Sequence, residues 1–217
     1  MNKKHKSPER KVKEKTKILA VGDIHGDTGL VKKLAKKAEK ENVDLVILAG
    51  DLTMGGEETD NLIKPFQKAK KQVLLIPGNH EGPETTEFLS KVYDNATNIH
   101  GYSFKPKKDK NLGIFGAGTV DWGIEGSSSD EILALLKKGH KYIKDSKKKI
   151  MVTHMHPRGS KQEFSGFEGS VAVKKAIKDF KPDILITGHI HEAGGLQEKI
   201  GETTVINVSR KPTVFEI

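Results

Sequence analysis

The amino-acid sequence predicts an α/β protein with a parallel central β-sheet. Short apolar runs recur in the first part of the chain and each is soon followed by a glycine: Ile18–Val21, Leu45–Ala49 and Val73–Ile76. Runs of this length suit strands that are buried on both faces of a sheet. Stretches with helical periodicity separate them, and strands that alternate with helices form parallel sheets through right-handed crossovers. With 217 residues, the chain is long enough for one domain with a substantial core.

The first helix is predicted from apolar residues at helical spacing. Leu30, Leu34 and Ala38 repeat along one side, and lysines occupy the opposite side. Asp27 precedes this repeat and is a suitable N-cap. A second helix is expected over roughly Thr59–Lys70, between the second and third predicted strands.

The middle of the chain predicts a change of sheet. Glu84–Tyr93 has a helical pattern, after which Tyr102–Phe104 and Leu112–Phe115 flank a polar turn. Two short apolar segments around such a turn are typical of a hairpin, so we expect a second, partly antiparallel sheet. The glycine- and serine-rich segment Gly116–Ser129 is the best candidate for a mobile loop.

The last third returns to alternating strands and helices. Helices are predicted over Glu131–Ile143 and Ser170–Phe180, and strands over Ile150–Thr153 and Asp183–Thr187. Two final apolar runs are separated by a Gly-Glu pair and predict a closing hairpin, Leu196–Ile200 with Thr204–Val208.

Charge divides the chain into a tail and one domain. Residues 1–17 hold eight Lys or Arg and two Glu, and the net charge of the whole chain is +9. Short blocks of like charge are commonly disordered, so we expect a basic, disordered tail over residues 1–16 and a single domain over residues 17–217. No apolar stretch approaches the roughly 20 residues that span a bilayer, and no hydrophobic signal segment follows the N-terminus. These features predict a cytoplasmic protein with no membrane partner.

Five short motifs carry side chains that bind metals, and four of them follow an apolar run. They are Asp23-Ile24-His25, Gly50-Asp51, Gly78-Asn79-His80-Glu81, His154 and Gly188-His189-Ile190-His191. The carboxyl ends of neighbouring strands in an α/β sheet converge on one crevice, so residues far apart in sequence can share one site. The chain has no cysteine, which leaves His, Asn and carboxylates as ligands.

The motifs together provide seven metal ligands: Asp23, His25, Asp51, Asn79, His154, His189 and His191. Seven ligands exceed a four-coordinate zinc site and suit two divalent ions that share a carboxylate. Mixed oxygen and nitrogen donors favour Mn, which we expect first, or Fe, Zn, Co or Ni, over Ca or Mg. Two dications with two carboxylates leave the site positively charged, which suits an anionic phosphate.

In this order and at these spacings the five motifs resemble the calcineurin-like phosphoesterases, also called metallophosphoesterases. The match runs from about Lys17 to Ile217, and the compact length is similar to that of the small prokaryotic group related to the Icc cyclic-nucleotide phosphodiesterase. The resemblance implies a four-layer α/β/β/α sandwich of two mixed β-sheets flanked by helices. It also implies one ion at Asp23, His25, Asp51 and His191, and a second at Asp51, Asn79, His154 and His189, with Asp51 as the bridge.

The resemblance further implies how such a site hydrolyses a small-molecule phosphoester. His80 matches the family histidine that contacts phosphate and protonates the leaving oxygen, so His80 and Asp51 are the expected catalytic residues. A hydroxide that bridges the two ions is the expected nucleophile, without a covalent intermediate, and phosphodiesters are favoured over monoesters. The candidate substrate contacts are Asn79, His80, and two residues of the loop after His154, namely His156 and Arg158.

Two other functions stay open. The protein phosphatases of this family carry an acid and an arginine shortly after the bridging aspartate, but Leu52–Gly56 follows Asp51 here, which argues against a protein phosphatase. A nuclease that holds nucleic acid with the basic tail is possible but not favoured. A binding scaffold that kept the fold and lost the chemistry is the other alternative. The sequence carries no signal for an oligomeric state.

Overall fold

Two β-sheets form the centre of the computed structural model, which describes residues 15–55, 59–121 and 126–217. The strands, in chain order, are β1 (Lys17–Val21), β2 (Leu45–Ala49), β3 (Gln72–Ile76), β4 (Ala96–Asn98), β5 (Ser103–Phe104), β6 (Leu112–Ala117), β7 (Lys148–Thr153), β8 (Ile184–Thr187), β9 (Gln197–Ile200), β10 (Thr203–Asn207) and β11 (Thr213–Glu216). The α-helices are α1 (Thr28–Lys40), α2 (Lys64–Lys68), α3 (Pro83–Val92), α4 (Ser129–Lys141) and α5 (Val171–Phe180). Two short 3₁₀ helices cover Lys161–Ser165 and His191–Ala193.

Both sheets are mixed. The first has the order β11-β1-β2-β3-β4, and its neighbouring strands are parallel except for the pair β1 and β11. The second has the order β5-β6-β7-β8-β10-β9, with parallel central strands and antiparallel pairs at both edges. The pair β5–β6 confirms the predicted change of sheet, and the pair β9–β10 confirms the predicted closing hairpin.

Alternation of side chains along the strands produces four layers. In β1, Leu19 and Val21 pack with the buried faces of α1, α2 and α3, whereas Ile18 and Ala20 point between the two sheets. The space between the sheets is filled by apolar side chains from both of them. On the far side, β6 packs through Phe115 against α4 and α5. The layers are therefore helices, sheet, sheet and helices, which confirms the expected α/β/β/α sandwich.

Local signals in the sequence explain where the helices begin. Asp27 caps α1, because its Oδ1 accepts a hydrogen bond of 2.8 Å from the Leu30 amide. Helix α4 begins with a reciprocal capping box between Ser128 and Glu131, ahead of the predicted start at Glu131. The buried residues of α1 include Leu34 and Ala38 of the predicted apolar stripe.

Some elements differ from the expectations. The helix expected over Thr59–Lys70 covers only Lys64–Lys68, because Asn61 has a left-handed φ of 60° that a right-handed helix does not accommodate. Strands β4 and β11 were not expected. Strand β11 gives β1 its antiparallel neighbour, and Thr16 exchanges two backbone hydrogen bonds of 3.2 Å with Ile217.

Two predicted features fall wholly or partly outside the described residues. They are the basic tail, of which only residues 15 and 16 are described, and the glycine-rich loop, of which residues 122–125 are not described. Among the described residues, no helix is both long and apolar enough to cross a bilayer.

Candidate metal centre

The five motifs follow the carboxyl ends of five strands. Strands β1, β2 and β3 of the first sheet deliver three motifs, and β7 and β8 of the second sheet deliver two. Hydrogen bonds join the two sheets at this edge: His154 Nδ1 donates to the Ala49 carbonyl at 2.9 Å, and the Gly22 amide donates to the Val208 carbonyl at 3.0 Å. The structure therefore brings all seven predicted ligands to one edge of the sandwich.

Four of the seven predicted ligands have left-handed backbone conformations. Their φ angles are 59° at Asp23, 48° at His25, 52° at Asp51 and 70° at His189. This conformation costs roughly 1–2 kcal/mol for a residue with a side chain, and such strain concentrates at functional sites. These four residues lie in the turns that follow β1, β2 and β8.

The first cluster of donor atoms comprises Asp23, His25 and His191. His191 Nε2 lies 3.2 Å from Asp23 Oδ1 and 3.3 Å from His25 Nε2. Asp23 is fully buried, whereas the His191 side chain is 41% exposed. The cluster therefore has a buried anionic floor and an open side.

The second cluster comprises Asp51, Asn79, His154 and His189. Asn79 Oδ1 lies 2.9 Å from His189 Nδ1 and 3.0 Å from His154 Nε2. Asp51 Oδ2 lies 3.3 Å from His154 Nε2 and 3.9 Å from His25 Nε2 in the first cluster. Asp51 is thus the carboxylate between the two clusters.

These spacings fit a shell of metal ligands. Two donors that are each about 2.1 Å from one ion are roughly 3.0 Å apart at an octahedral angle and 3.4 Å apart at a tetrahedral angle. Five donor pairs within the two clusters are 2.9–3.3 Å apart. Because the donors are imidazole nitrogens and carboxylate or amide oxygens, the set suits divalent transition metals.

The two ring nitrogens of the fully buried His154 have different partners. A carbonyl only accepts, so the bond to the Ala49 carbonyl requires the proton on Nδ1 and directs Nε2 toward Asp51 and Asn79. Burial alone would lower the pKa of His154, but the carboxylates of Asp51 and Asp23 outweigh it and raise that pKa to about 9. Without a metal ion, a proton on Nε2 therefore balances the charge of Asp51.

The two aspartates remain ionised in this environment. Burial opposes ionisation, but the His154 charge and hydrogen bond, together with the His80 amide, lower the pKa of Asp51 well below its usual range. The pKa of Asp23 is also lowered, because its hydrogen bond with His191 and the charge of His154 outweigh burial. Buried charges are retained in proteins when they are paired or bind metal.

Asn79 and His80 hold Asp51 through their backbones. Asp51 Oδ1 accepts from the Asn79 amide at 2.8 Å and from the His80 amide at 2.9 Å, which leaves Oδ2 directed at the clusters. The His80 side chain is 39% exposed, and its Nε2 lies 3.9 Å from Asp51 Oδ2. His80 therefore stands at the mouth of the site.

Glu81 has a structural role. Its carboxylate is buried and accepts from the Gly78 amide at 2.8 Å and from the Thr53 amide at 3.0 Å. Burial raises the pKa of Glu81. The side chain thus joins the turn after β3 to the turn after β2, where Asp51 lies.

The two residues expected to contact substrate in the loop after β7 have other partners. His156 is buried, and its Nε2 donates to the Phe167 carbonyl at 3.3 Å. The Arg158 guanidinium pairs with both carboxylate oxygens of Glu168 and lies 3.7 Å from Glu163. The substrate contacts of His156 and Arg158 stay predictions. In this structure the Arg158 charge is paired with two acids, and the His156 ring is bonded to a backbone carbonyl.

Sequence reasoning also missed Asn207, which is buried beneath the turn that carries His189 and His191. Its side-chain nitrogen lies 3.2 Å from both the Gly188 and the Ile190 carbonyls. The one signal available was a polar amide inside an apolar run that predicted a strand.

Several solved structures share this architecture. The Thermus thermophilus protein TT1561 superposes with a TM-score of 0.74 at 19% identity over 94% of this chain and 99% of its own. A dimetal phosphatase from Danio rerio gives a TM-score of 0.62 at 12% identity, over 89% of this chain and 87% of its own. An archaeal phosphodiesterase gives 0.51 at 19% identity, over 93% and 98%. At these identities the likeness shows the fold.

The sequence itself identifies the family. No curated protein matches the chain by sequence. Residues 16–193, which include all seven predicted ligands, match the sequence model of the calcineurin-like phosphoesterases. That family implies divalent metal ions, and the two clusters have the donors to hold them. The chain belongs to the calcineurin-like phosphoesterase family.

Proposed function

We propose that this metal-dependent phosphoesterase holds two divalent ions and hydrolyses phosphodiesters in preference to monoesters. The observation that carries the proposal is the convergence of seven donor atoms from five strand ends, at the spacing of ligands around ions. Asp23, His25 and His191 hold the first ion, and Asn79, His154 and His189 hold the second. Asp51 lies between the clusters and is the carboxylate that both ions would share.

Some residues of the site position the metal ligands, and one residue can donate a proton to the substrate. When bound, the ions would activate water near neutral pH and offset negative charge on the phosphoryl oxygens. The backbone amides of Asn79 and His80 hold one oxygen of Asp51 and leave the other for the ions. The half-exposed His80 ring lies 4.8 Å from the His25 ring, centroid to centroid, so His80 can donate a proton to the leaving oxygen of a substrate at the clusters.

The rim of the site supports a diester substrate. Phe167 is 50% exposed, and its ring centroid lies 6.1 Å from that of the His189 ring. An apolar surface beside the second cluster suits an organic group on the phosphorus, and a diester carries two such groups. A monoester dianion presents more charge and less apolar surface to the same rim.

Metal analysis together with a rate assay tests the proposal. Purified protein loaded with Mn should hold about two ions per chain and cleave bis-p-nitrophenyl phosphate faster than p-nitrophenyl phosphate. Asp51→Asn should lose metal from both clusters and lower the rate by at least about 100-fold, since losing even an outer partner of a metal site costs 10–100-fold. Asp44→Asn is the control, because Asp44 accepts from the Lys17 amide at the opposite end of β1. Full metal content and full rate in Asp51→Asn would show that Asp51 does not bridge two ions.

A further inference from the structure

The turn after β8 carries two of the proposed metal ligands, and they enter different clusters. It sends His189 into the second cluster and His191 into the first, although one residue separates them. His189 adopts a left-handed φ of 70° to do so. A strained conformation of this kind persists only where surrounding contacts determine it.

The side chain of Asn207 supplies part of those contacts, beside the hydrogen bond from the His189 amide to Asp23. Asn207 ends β10 and is fully buried, and one N–H of its side-chain amide is shared between the Gly188 carbonyl and the Ile190 carbonyl, each 3.2 Å from Nδ2. These carbonyls lie on either side of His189. The Asn207 Oδ1 accepts from the Ser209 amide at 2.8 Å, which fixes the orientation of the amide plane. The amide therefore holds both ends of the strained residue.

The same amide reaches the loop that follows β7. The other N–H of the amide donates to Gln162 Oε1 at 2.8 Å, and the Thr187 hydroxyl donates to that oxygen at 3.1 Å. Gln162 is fully buried in the 3₁₀ helix Lys161–Ser165. A buried network of this kind is costly when only partly satisfied, so removing the Asn207 donors should release the turn.

We propose that Asn207 is a positioning residue of the metal centre. Its side-chain amide fixes the turn Gly188–His191 so that one imidazole faces each cluster. Asn207 would therefore affect the affinity of the site for both ions without being a ligand of either. This inference rests on the proposed two-ion centre.

Asn207→Asp is the sharpest variant, because it keeps the shape and the acceptor oxygen but replaces the donor with an oxygen that faces two carbonyls. We expect the variant to bind Co²⁺ differently from wild type. Co²⁺ affinity, followed by visible absorption, should fall about 10- to 100-fold, the usual effect of losing an outer partner of a metal site. The absorption spectrum should change as well, because the imidazoles no longer reach the ion in the same geometry.

Asn95→Asp is the matched control. Asn95 Nδ2 donates to the Lys71 carbonyl at 2.8 Å, next to the start of β3 and away from the ligand-bearing turns. Both variants lose amide-to-carbonyl bonds and should lower the melting temperature of the metal-free protein. Only Asn207→Asp should alter Co²⁺ affinity and spectrum. Asn207→Ser, which adds no charge, gives the same comparison if Asn207→Asp does not fold.

The outcomes separate the two proposals. Wild-type Co²⁺ affinity and spectrum in the Asn207 variants would overturn the positioning role and leave the two-ion centre standing. If the wild-type chain bound no Co²⁺, both proposals would fail. Equal changes in Asn95→Asp and Asn207→Asp would also overturn the positioning role, since a general loss of stability would then explain the effect.

Discussion

Neighbouring residues in the turn after β3 have different tasks. Asn79 Oδ1 lies within 3.0 Å of two imidazole nitrogens, whereas the His80 ring is 39% exposed at the mouth of the site. His80→Asn should therefore keep the metal content of wild type and lower kcat by about 10²- to 10⁴-fold, the usual contribution of a general acid. Asn79→Ala should instead lose metal from the second cluster. Metal analysis and steady-state rates on both variants check this division, and loss of metal in His80→Asn would contradict it.

The pKa of His154 predicts how metal binding depends on pH. In metal-free protein this pKa is raised to about 9, so His154 is protonated at pH 7 and an ion that binds Nε2 must displace that proton. Metal affinity should therefore rise with pH up to about pH 9 and then level off. The protons that His154 releases on binding should decrease by about one between pH 7 and pH 10. Calorimetry in buffers with different ionisation enthalpies measures the release, and a release that does not change with pH would contradict the prediction.

At the scale of elements, the turn after β3 must approach the turn after β2 closely. A Cβ at Gly78 would overlap the Asp51 carboxylate and backbone amide. Gly78→Ala should therefore displace Asp51 and reduce metal content. Gly113→Ala is a control with a similar clash, because its Cβ would lie 2.6 Å from Ile143 Cβ, in the helix-facing layer behind β6. Both variants should lower the melting temperature, but only Gly78→Ala should reduce metal content. Equal metal content in the two would show that the close approach does not position Asp51.

The same turns show what the sequence could predict. The meeting of His154 with Asp51 was predictable, because parallel strands bring their carboxyl ends to one edge wherever a strand–turn pattern recurs. The hydrogen bonds of Asn207 were not, since they join residues 17 to 45 positions apart through side-chain geometry that leaves no periodicity. The pairing of Arg158 with Glu168 was hidden for the same reason. The length of α2 could not be predicted either, because the left-handed φ of Asn61 does not follow from the amino-acid composition of the segment.

At the scale of the whole molecule, the two clusters lie across both sheets. The first sheet supplies Asp23, His25, Asp51 and Asn79, and the second supplies His154, His189 and His191. Each proposed ion would therefore take ligands from both sheets and would cross-link them in the folded state only. Ligands that bind only the folded state stabilise it by mass action. The metal centre should accordingly determine the stability of the sandwich as well as its activity.

Thermal unfolding tests this link. At a free Mn²⁺ concentration about 100 times its Kd, the free energy of unfolding should rise by about 2.7 kcal/mol for one site. For a domain of this size that rise corresponds to roughly 5–10 °C in Tm. Ca²⁺, which prefers all-oxygen sites, should raise Tm less at the same concentration, because four of the seven donors are imidazoles. If Tm is the same in chelator and in Mn²⁺, the ions do not hold the two sheets together. If Mn²⁺ raises the Tm of wild type but not that of Asp51→Asn, the cross-link depends on the carboxylate between the clusters.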